Sequence, residues 1–300
     1  MAYSPQEIEY KDLTGRVRKV SESYFACGGF SEVFEGIYQD EAGRQRSVAI
    51  KVLRVNQATP DMRDILLRHL NREAKLWHSL KHPNVLEFIG VAQNFGPSVA
   101  LVAPYCRNGY VTKYVSENPC ANRPQLILDV AKGLEYLHGK NVIHGDIKGP
   151  NVLVANDGSA VLCDFGRSRI INHTGFTTRD FAAGLRYLAP ELIEKCSEVP
   201  ETEGGDAGNL NLSKLTSKES DIYSFSMVGV EILSGAILYP KISNALFITR
   251  VPKGLRPKRG DYMLSNAHEK VWDVLELCWV AEPKERPTMT AVIKRLSSLR

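Results

Sequence analysis

Residues 144–151 read HGDIKGPN, an apolar VLV follows at 152–154, and DFG stands at 164–166. This stretch carries four reactive or ligating side chains, namely Asp146, Lys148, Asn151 and Asp164. Any one of them alone would be interpreted as a solvated loop charge or as a helix cap. All four in this order around a short apolar segment are unusual for an ordinary loop, so together they indicate a catalytic or ligand-binding site.

The four side chains fit the demands of phosphoryl transfer from ATP. That reaction needs a carboxylate to accept the hydroxyl proton, a cation near the γ-phosphate, and oxygen ligands for Mg²⁺, all fixed in line. Asp146, Lys148, Asn151 and Asp164 together supply this set. The sequence therefore predicts a site that uses ATP and Mg²⁺.

A second pair of charged residues lies upstream. The segment VAIK at 48–51 places Lys51 on a strand that is otherwise apolar, where burial without a partner would be costly. Glu73 lies on a predicted helix, and its carboxylate would orient Lys51 toward the ATP phosphates. The alternative is an exposed lysine and an unrelated, exposed glutamate.

Apolar spacing predicts the architecture. Short segments rich in Val, Ile, Tyr and Phe at 17–55 and 85–105 are typical of antiparallel strands, with one helix at 61–80 between them. After residue 106, helical patterns recur at 124–138, 220–233, 268–279 and 289–299. The sequence therefore predicts an α+β fold with a small antiparallel β lobe at 16–105 and a larger helical lobe at 106–300. Residues 1–15 are expected to be a leader that packs loosely if at all.

Three motifs resemble the signature set of the eukaryotic protein kinases. They are the loop at 144–151, DFG at 164–166 and APE at 189–191, and the resemblance covers roughly residues 16–300. The segment SDIYSF at 220–225 resembles the start of the family's central helix, whose aspartate braces the catalytic loop, and Arg286 looks like the partner of Glu191. The sequence around Cys278-Trp279 and Arg286-Pro287 is most similar to that of the tyrosine-kinase-like branch. The resemblance implies a bilobal kinase fold, ATP and Mg²⁺ as cofactors, and protein substrates.

The resemblance assigns roles around the phosphates and the metal. Asp146 matches the catalytic base, Lys148 the phosphate-contacting lysine, and Asn151 and Asp164 the metal ligands. Lys51 and Glu73 match the paired residues that hold the ATP phosphates.

The resemblance also assigns an adenine site. Val33, Ala49 and Leu153 match its apolar walls, although the same residues could equally be ordinary core. The segment LVAPYC at 101–106 resembles the hinge, with the backbone of Pro104 and Cys106 facing the adenine edge. Ala103 then occupies the gatekeeper position, where so small a side chain should leave the pocket behind the adenine open.

The phosphate-covering loop departs from the family pattern. The segment ACGGFSEV at 26–33 keeps Gly28, the middle one of three spaced glycines, while Ala26 and Ser31 replace the other two. Glycine matters there because the backbone must approach phosphates closely. We expect weakened nucleotide affinity but not its loss.

Two further departures concern regulation and substrate class. Gly145 stands where most relatives carry an arginine that pairs with a phosphorylated activation segment, so control through Thr174, Thr177 or Thr178 is not expected. Leu185 stands where Ser/Thr kinases usually carry threonine, which puts the substrate class in question. Lys148, two positions after Asp146, favours Ser/Thr over Tyr specificity by resemblance, while Tyr or dual specificity stays open.

The segment 198–213 exceeds what the family usually needs. It is acidic and Gly-rich, and it contains no basic residue. Its low apolar content favours a disordered surface insertion, and the alternative is a docking site for a basic partner.

Composition narrows the remaining choices. The net charge of +4 is spread along the chain, so neither a nucleic-acid nor a membrane partner is expected. No secretory signal or membrane-spanning stretch is visible, and we expect an intracellular, cytoplasmic monomer. The six cysteines lack metal-ligand spacing, and no P-loop or dinucleotide fingerprint occurs. The chief alternative to an active kinase is a pseudokinase that binds nucleotide and signals as a protein-interaction scaffold.

Overall fold

The computed structural model describes residues 10–27, 31–54, 60–96, 98–164, 184–197 and 215–299. The chain divides into two compact units, Met1–Cys106 and Arg107–Arg300. None of the helices in the described ranges combines the length and the apolar character needed to cross a membrane.

An antiparallel sheet is the framework of the first unit. Its strands are β1 (Val17–Lys19), β2 (Ala26–Cys27), β3 (Ser31–Gln39), β4 (Gln45–Leu53), β5 (Gly90–Ala92) and β6 (Ala100–Pro104). They are ordered β1-β3-β4-β6-β5, and β2 pairs with the other end of β3. The strand-rich beginning predicted from the sequence is thereby confirmed, although the described residues of 85–105 form only two short strands.

Burial alternates along β3 and β4, because successive side chains of a strand point to opposite faces. One face carries the core of this unit, which includes Phe34, Tyr38, Val48, Ile50 and Val52. Ala49 and Lys51 therefore point to the other face of β4. This alternation fixes which strand residues are available for a site.

Helix α1 (Pro60–Ser79) follows β4, in agreement with the helix predicted at 61–80. Leu66, Leu70, Ala74 and Trp77 recur at helical spacing and are all buried. The indole nitrogen of Trp77 donates to the carbonyl of Leu86 at 2.6 Å.

A loosely packed leader was expected at 1–15; residues 1–9 lie outside the described residues, and residues 10–15 depart from that expectation. Leu13 is fully buried in the sheet core, its amide donates to Val91 O at 2.8 Å, and Val91 N donates to Lys11 O at 3.0 Å. A Cβ at Gly90 would collide with the carbonyl of Lys11, so a glycine permits this close approach. Residues 10–15 thus extend the edge of the sheet, because backbone pairing and one buried leucine hold them there.

The second unit is mainly helical. In the described part of this unit the helices are α2 (Val111–Glu117), α3 (Arg123–Gly139), α4 (Pro190–Ser197), α5 (Lys218–Ser234), α6 (Asn244–Arg250), α7 (Asn266–Cys278) and α8 (Met289–Ser297). A two-stranded sheet of β7 (Val152–Val154) and β8 (Ala160–Leu162) completes it. The four helices predicted for this region are confirmed, and α2, α4 and α6 are additional. The predicted α+β fold is therefore confirmed.

Helix α5 is the centre of the second unit. All of its residues from 220 to 233 are buried, and it packs against α3 and α7. Ser217 caps its first turn in a reciprocal pair with Ser220, and Gly235 ends it with a left-handed φ of 72°. This fixed, buried first turn carries Asp221.

Candidate active site

Asp221 holds the backbone of the loop at 144–151. Its carboxylate accepts hydrogen bonds from the amides of His144 and Gly145, both at 2.8 Å, and contacts Nε2 of His138 at 3.0 Å. Only 2% of the Asp221 side chain is exposed, so these partners replace water. The bracing role expected of this aspartate is present, while the contribution of His138 was not predicted.

Gly145 adopts a left-handed backbone, with φ of 72°. Glycine reaches this region without the Cβ clash that other residues experience. A residue with a Cβ would be strained in this conformation.

His144 joins the loop to the end of β8. Its ring nitrogen Nε2 lies 3.1 Å from Cys163 O, and its Nδ1 lies 3.3 Å from the amide of Asp146. Complete burial lowers the pKa of His144, against the opposing effect of the carboxylates of Asp221, Asp146 and Asp164. A neutral ring with its proton on Nε2 satisfies both contacts.

Asp146, Lys148 and Asn151 meet at one carboxylate oxygen. Oδ2 of Asp146 lies 2.9 Å from Lys148 Nζ and accepts a 2.9 Å hydrogen bond from Asn151 Nδ2. The same Nδ2 donates to the carbonyl of Asp146 at 2.8 Å. The structure thus brings together the three residues that the sequence predicts as catalytic.

Asn151 and Asp164 are the predicted metal ligands. The amide nitrogen of Asn151 is occupied by Asp146, whereas its Oδ1 makes no hydrogen bond within the part of the chain that the structure describes. Asp164 follows β8 with a left-handed φ of 55°, an uncommon conformation for a residue other than glycine. Both residues offer the oxygen atoms that Mg²⁺ prefers.

Lys51 and Glu73 form the predicted pair in the first unit. Lys51 Nζ lies 2.6 Å from Glu73 Oε1, and the two side chains are 17% and 12% exposed. The alternative of two exposed, unrelated side chains is therefore wrong.

The predicted nucleotide-contacting strand residues share one face of the sheet. Ala26 is paired with Val33, Val33 with Lys51, and Ala49 with Ala103, and this face is opposite the core face. Ala103 is buried, whereas Ala26 is exposed.

The remaining residues predicted to form the adenine site lie at element ends or in the second unit. Pro104 ends β6, Cys106 follows it, and both are half-buried. Leu153 lies in the second unit on β7, opposite Val161. Gly28, residues 165–166, the threonines at 174, 177 and 178, and the segment 198–213 lie outside the described residues.

Glu191 and Arg286 form the predicted ion pair. The guanidinium binds the carboxylate through two contacts of 2.7 and 2.8 Å, and it also donates to Glu219 O and Val280 O. The side chain of Arg286 is completely buried. This pair fixes α4 to the segment that precedes α8.

A hydrogen-bonded pair of the half-buried Tyr187 and the buried Glu231, next to the loop, was missed by sequence reasoning. The hydroxyl of Tyr187 donates to Glu231 Oε2 at 2.7 Å, and a Cβ added to Gly149 would lie 3.1 Å from the same oxygen. Burial raises the pKa of Glu231 to about 7 and also raises the pKa of Tyr187. A signal was available, because Glu231 lies in the apolar stretch MVGVEIL at 227–233, where a buried carboxylate requires a partner.

Comparison with known sequences adds an independent finding. The family model described as protein tyrosine and serine/threonine kinase matches residues 21–296. Serine/threonine-protein kinase STY17 of Arabidopsis thaliana is 29% identical over 98% of this chain and 45% of its own length. The probable serine/threonine-protein kinase kinX of Dictyostelium discoideum is 28% identical, over 98% of this chain and 24% of its own length. The serine/threonine/tyrosine-protein kinase HT1 of Arabidopsis thaliana is 25% identical, over 90% of this chain and 63% of its own length. The chain spans less than half the length of the first two of these relatives.

Proposed function

Because the chain belongs to the protein tyrosine and serine/threonine kinase family, we propose that it transfers the γ-phosphoryl group of ATP to Ser/Thr hydroxyls of protein substrates. The observation that carries the proposal is the loop around Asp146. Its carboxylate is held by Lys148 and Asn151, and its backbone is held by the buried Asp221. Phosphoryl transfer is catalysed largely by holding the reacting groups in fixed positions, and this loop is held in that way.

Asp146 is proposed as the general base. Lys148 and Asn151 occupy Oδ2 and orient the carboxylate, while Oδ1 lies on the side of Gly184. The substrate hydroxyl would give its proton to this carboxylate as its oxygen bonds to the γ-phosphorus, while the bond from that phosphorus to the β–γ bridging oxygen breaks and ADP leaves. Lys148 stabilises the negative charge of the phosphoryl group during transfer.

Asn151 and Asp164 would hold Mg²⁺, because each supplies an oxygen ligand of the hard type that this ion prefers. The engagement of Asn151 Nδ2 by Asp146 turns the amide so that its oxygen is available. When bound, ATP would supply the phosphoryl group, and the Mg²⁺ ion would offset the negative charge of its phosphate oxygens.

Lys51 is proposed to contact the ATP phosphates, with Glu73 as its positioning residue. The 2.6 Å ion pair supports this role, since it fixes the ammonium on the sheet face that also carries Val33 and Ala49. The adenine contacts of Ala26, Gly28, Ala103, Pro104, Cys106 and Leu153 are part of the same proposal. The proposal also includes a basic partner protein that docks on the acidic segment 198–213.

A pseudokinase remains the second candidate. The observation that favours it is the altered covering loop, where Ala26 and Ser31 replace glycines. The formed Lys51–Glu73 pair and the ordered surroundings of Asp146 favour catalysis instead.

Label transfer separates the two candidates. The chain is incubated with Mg-ATP labelled at the γ-phosphate and a generic protein substrate, and phosphoamino-acid analysis follows. We expect labelled serine and threonine. Thermal stabilisation by Mg-ATP without any label transfer would instead support the pseudokinase.

A further inference from the structure

A basic cavity lies within the second unit and contains none of the proposed catalytic residues. Its volume is about 250 Å³, and its lining comes from residues 239–242, 255–258, 261 and 262 together with Arg250 at the end of α6. Sites for small molecules typically measure about 300–1,000 Å³. The cavity therefore suits one side chain of a larger partner better than a whole small ligand.

The cavity has a fixed, largely apolar floor. Tyr239, Pro257 and Tyr262 are buried, and the Tyr262 hydroxyl accepts a 3.1 Å hydrogen bond from Tyr239 N. The Tyr239 ring packs edge-on against Phe247 at 5.1 Å between centroids. A floor held in this way is preorganised, which lowers the entropic cost of binding.

Two arginines stiffen the walls. Arg256 donates to the carbonyls of Val251, Leu255 and Trp279 at 2.8 to 2.9 Å, and none of the carboxylates in the described residues pairs with it. Arg186 donates to Tyr239 O and Ile242 O at 2.8 and 2.7 Å. The wall thus keeps its shape and contributes a positive charge.

The rim carries three more cations. Lys241, Arg250 and Lys258 are exposed, and they form no ion pair with any described residue. Asp261 is the one acidic residue in the lining. The rim therefore places clustered positive charge around an apolar floor.

The neighbouring Arg259, unlike the three rim cations, is neutralised by carboxylates. Its guanidinium binds three carboxylates of α7, those of Glu269, Asp273 and Glu276. Three carboxylates thus neutralise Arg259, one residue away from Lys258, whereas the cavity lining holds Asp261 as its single carboxylate. Like charges left together repel each other, and an anionic partner would relieve this repulsion.

We infer that this cavity binds an acidic segment of a partner protein, whose apolar side chain enters the cavity while neighbouring carboxylates contact Lys241, Arg250 and Lys258. The positive charges of the rim favour acidic residues in the partner segment, and the apolar floor favours an apolar side chain between them. A lipid headgroup or free phosphate would use the cations but leave the floor unfilled.

The test measures binding without nucleotide, so its result does not depend on the proposed kinase activity. The probe is a fluorescein-labelled peptide in which one phenylalanine is flanked on each side by two glutamates, and its anisotropy is followed on titration with the chain. The triple variant Lys241→Ala, Arg250→Ala, Lys258→Ala should bind about tenfold more weakly, since each exposed charge pair contributes modestly. These side chains are exposed, so we expect an unchanged melting temperature.

A matched variant controls for net charge. Lys270→Ala, Lys284→Ala, Lys294→Ala removes three other exposed cations and should weaken binding by less than about twofold. Replacing the peptide's phenylalanine by alanine should also weaken binding. Equal losses in the two triple variants, no binding of the probe by the wild-type chain, or equal binding of the alanine peptide would each overturn the inference. Rim-dependent binding of phosphatidylserine vesicles in place of the peptide would overturn it in favour of a lipid site.

Discussion

Tyr187 donates a 2.7 Å hydrogen bond to Glu231, whose buried carboxylate lies beside Gly149 of the proposed catalytic loop. Burial raises the pKa of Glu231 from 4.5 to about 7, so the folded chain holds this proton over a pH range in which the unfolded chain releases it. Folding stability should therefore fall as the pH rises between these two values and then level off.

The variant Glu231→Gln should remove this pH dependence. Glutamine keeps an acceptor for Tyr187 but carries no titrating proton, so its stability relative to the wild type should rise by about 2 to 3 kcal/mol from pH 4.5 to pH 8. Urea unfolding of both proteins at several pH values measures the difference. Parallel pH profiles would show that Glu231 does not titrate with a raised pKa.

The segment before β1 should stabilise the first unit. Leu13→Ala removes a fully buried side chain and is expected to cost about 2 to 4 kcal/mol of unfolding free energy. Val20→Ala, at a position that is 52% exposed, serves as the control and should change it by less than about 0.5 kcal/mol. Equal, small effects in urea unfolding would mean that residues 10–15 do not pack on the sheet.

Local patterns were enough to predict much of this structure, whereas partners distant in sequence were harder to predict. The helix at 61–80 follows from apolar spacing, and the Lys51–Glu73 pair follows from the cost of burying a lone lysine. The packing of Leu13 depends on its pairing with Val91 and on the space left by Gly90, which no local pattern records.

The site divides in the same way. Asp146, Lys148 and Asn151 are close in sequence, so their order alone predicted that they meet. Tyr187 and Glu231 come from separate elements, and the basic cavity is assembled from loops whose course the sequence does not fix. Such sites depend on tertiary packing rather than on local propensity.

Asp164→Asn should abolish the stabilisation of the chain by Mg-ATP, because a neutral amide replaces a carboxylate at the proposed metal site. The melting temperature is measured with and without Mg-ATP. Asp64→Asn, at an exposed position of α1, is the control and should respond like the wild type. Undiminished stabilisation of Asp164→Asn would show that this residue does not hold the metal.

Phosphorylation of Thr174, Thr177 or Thr178 should not control activity, because Gly145 replaces the arginine that would bind the modified residue. Replacing all three threonines by alanine is expected to leave turnover within about threefold, or less than roughly 1 kcal/mol of barrier. A loss beyond about tenfold, recovered by an acidic residue at one of these positions, would contradict this.

The most direct test of the account is label transfer by Asp146→Asn. Asparagine preserves the size of the side chain but cannot accept the hydroxyl proton, so turnover should fall by about 10² to 10⁴ while the thermal shift with Mg-ATP stays nearly unchanged. Asp64→Asn, measured in parallel, should keep wild-type turnover. Full turnover of Asp146→Asn would contradict the assignment of the base and, with it, the proposed mechanism.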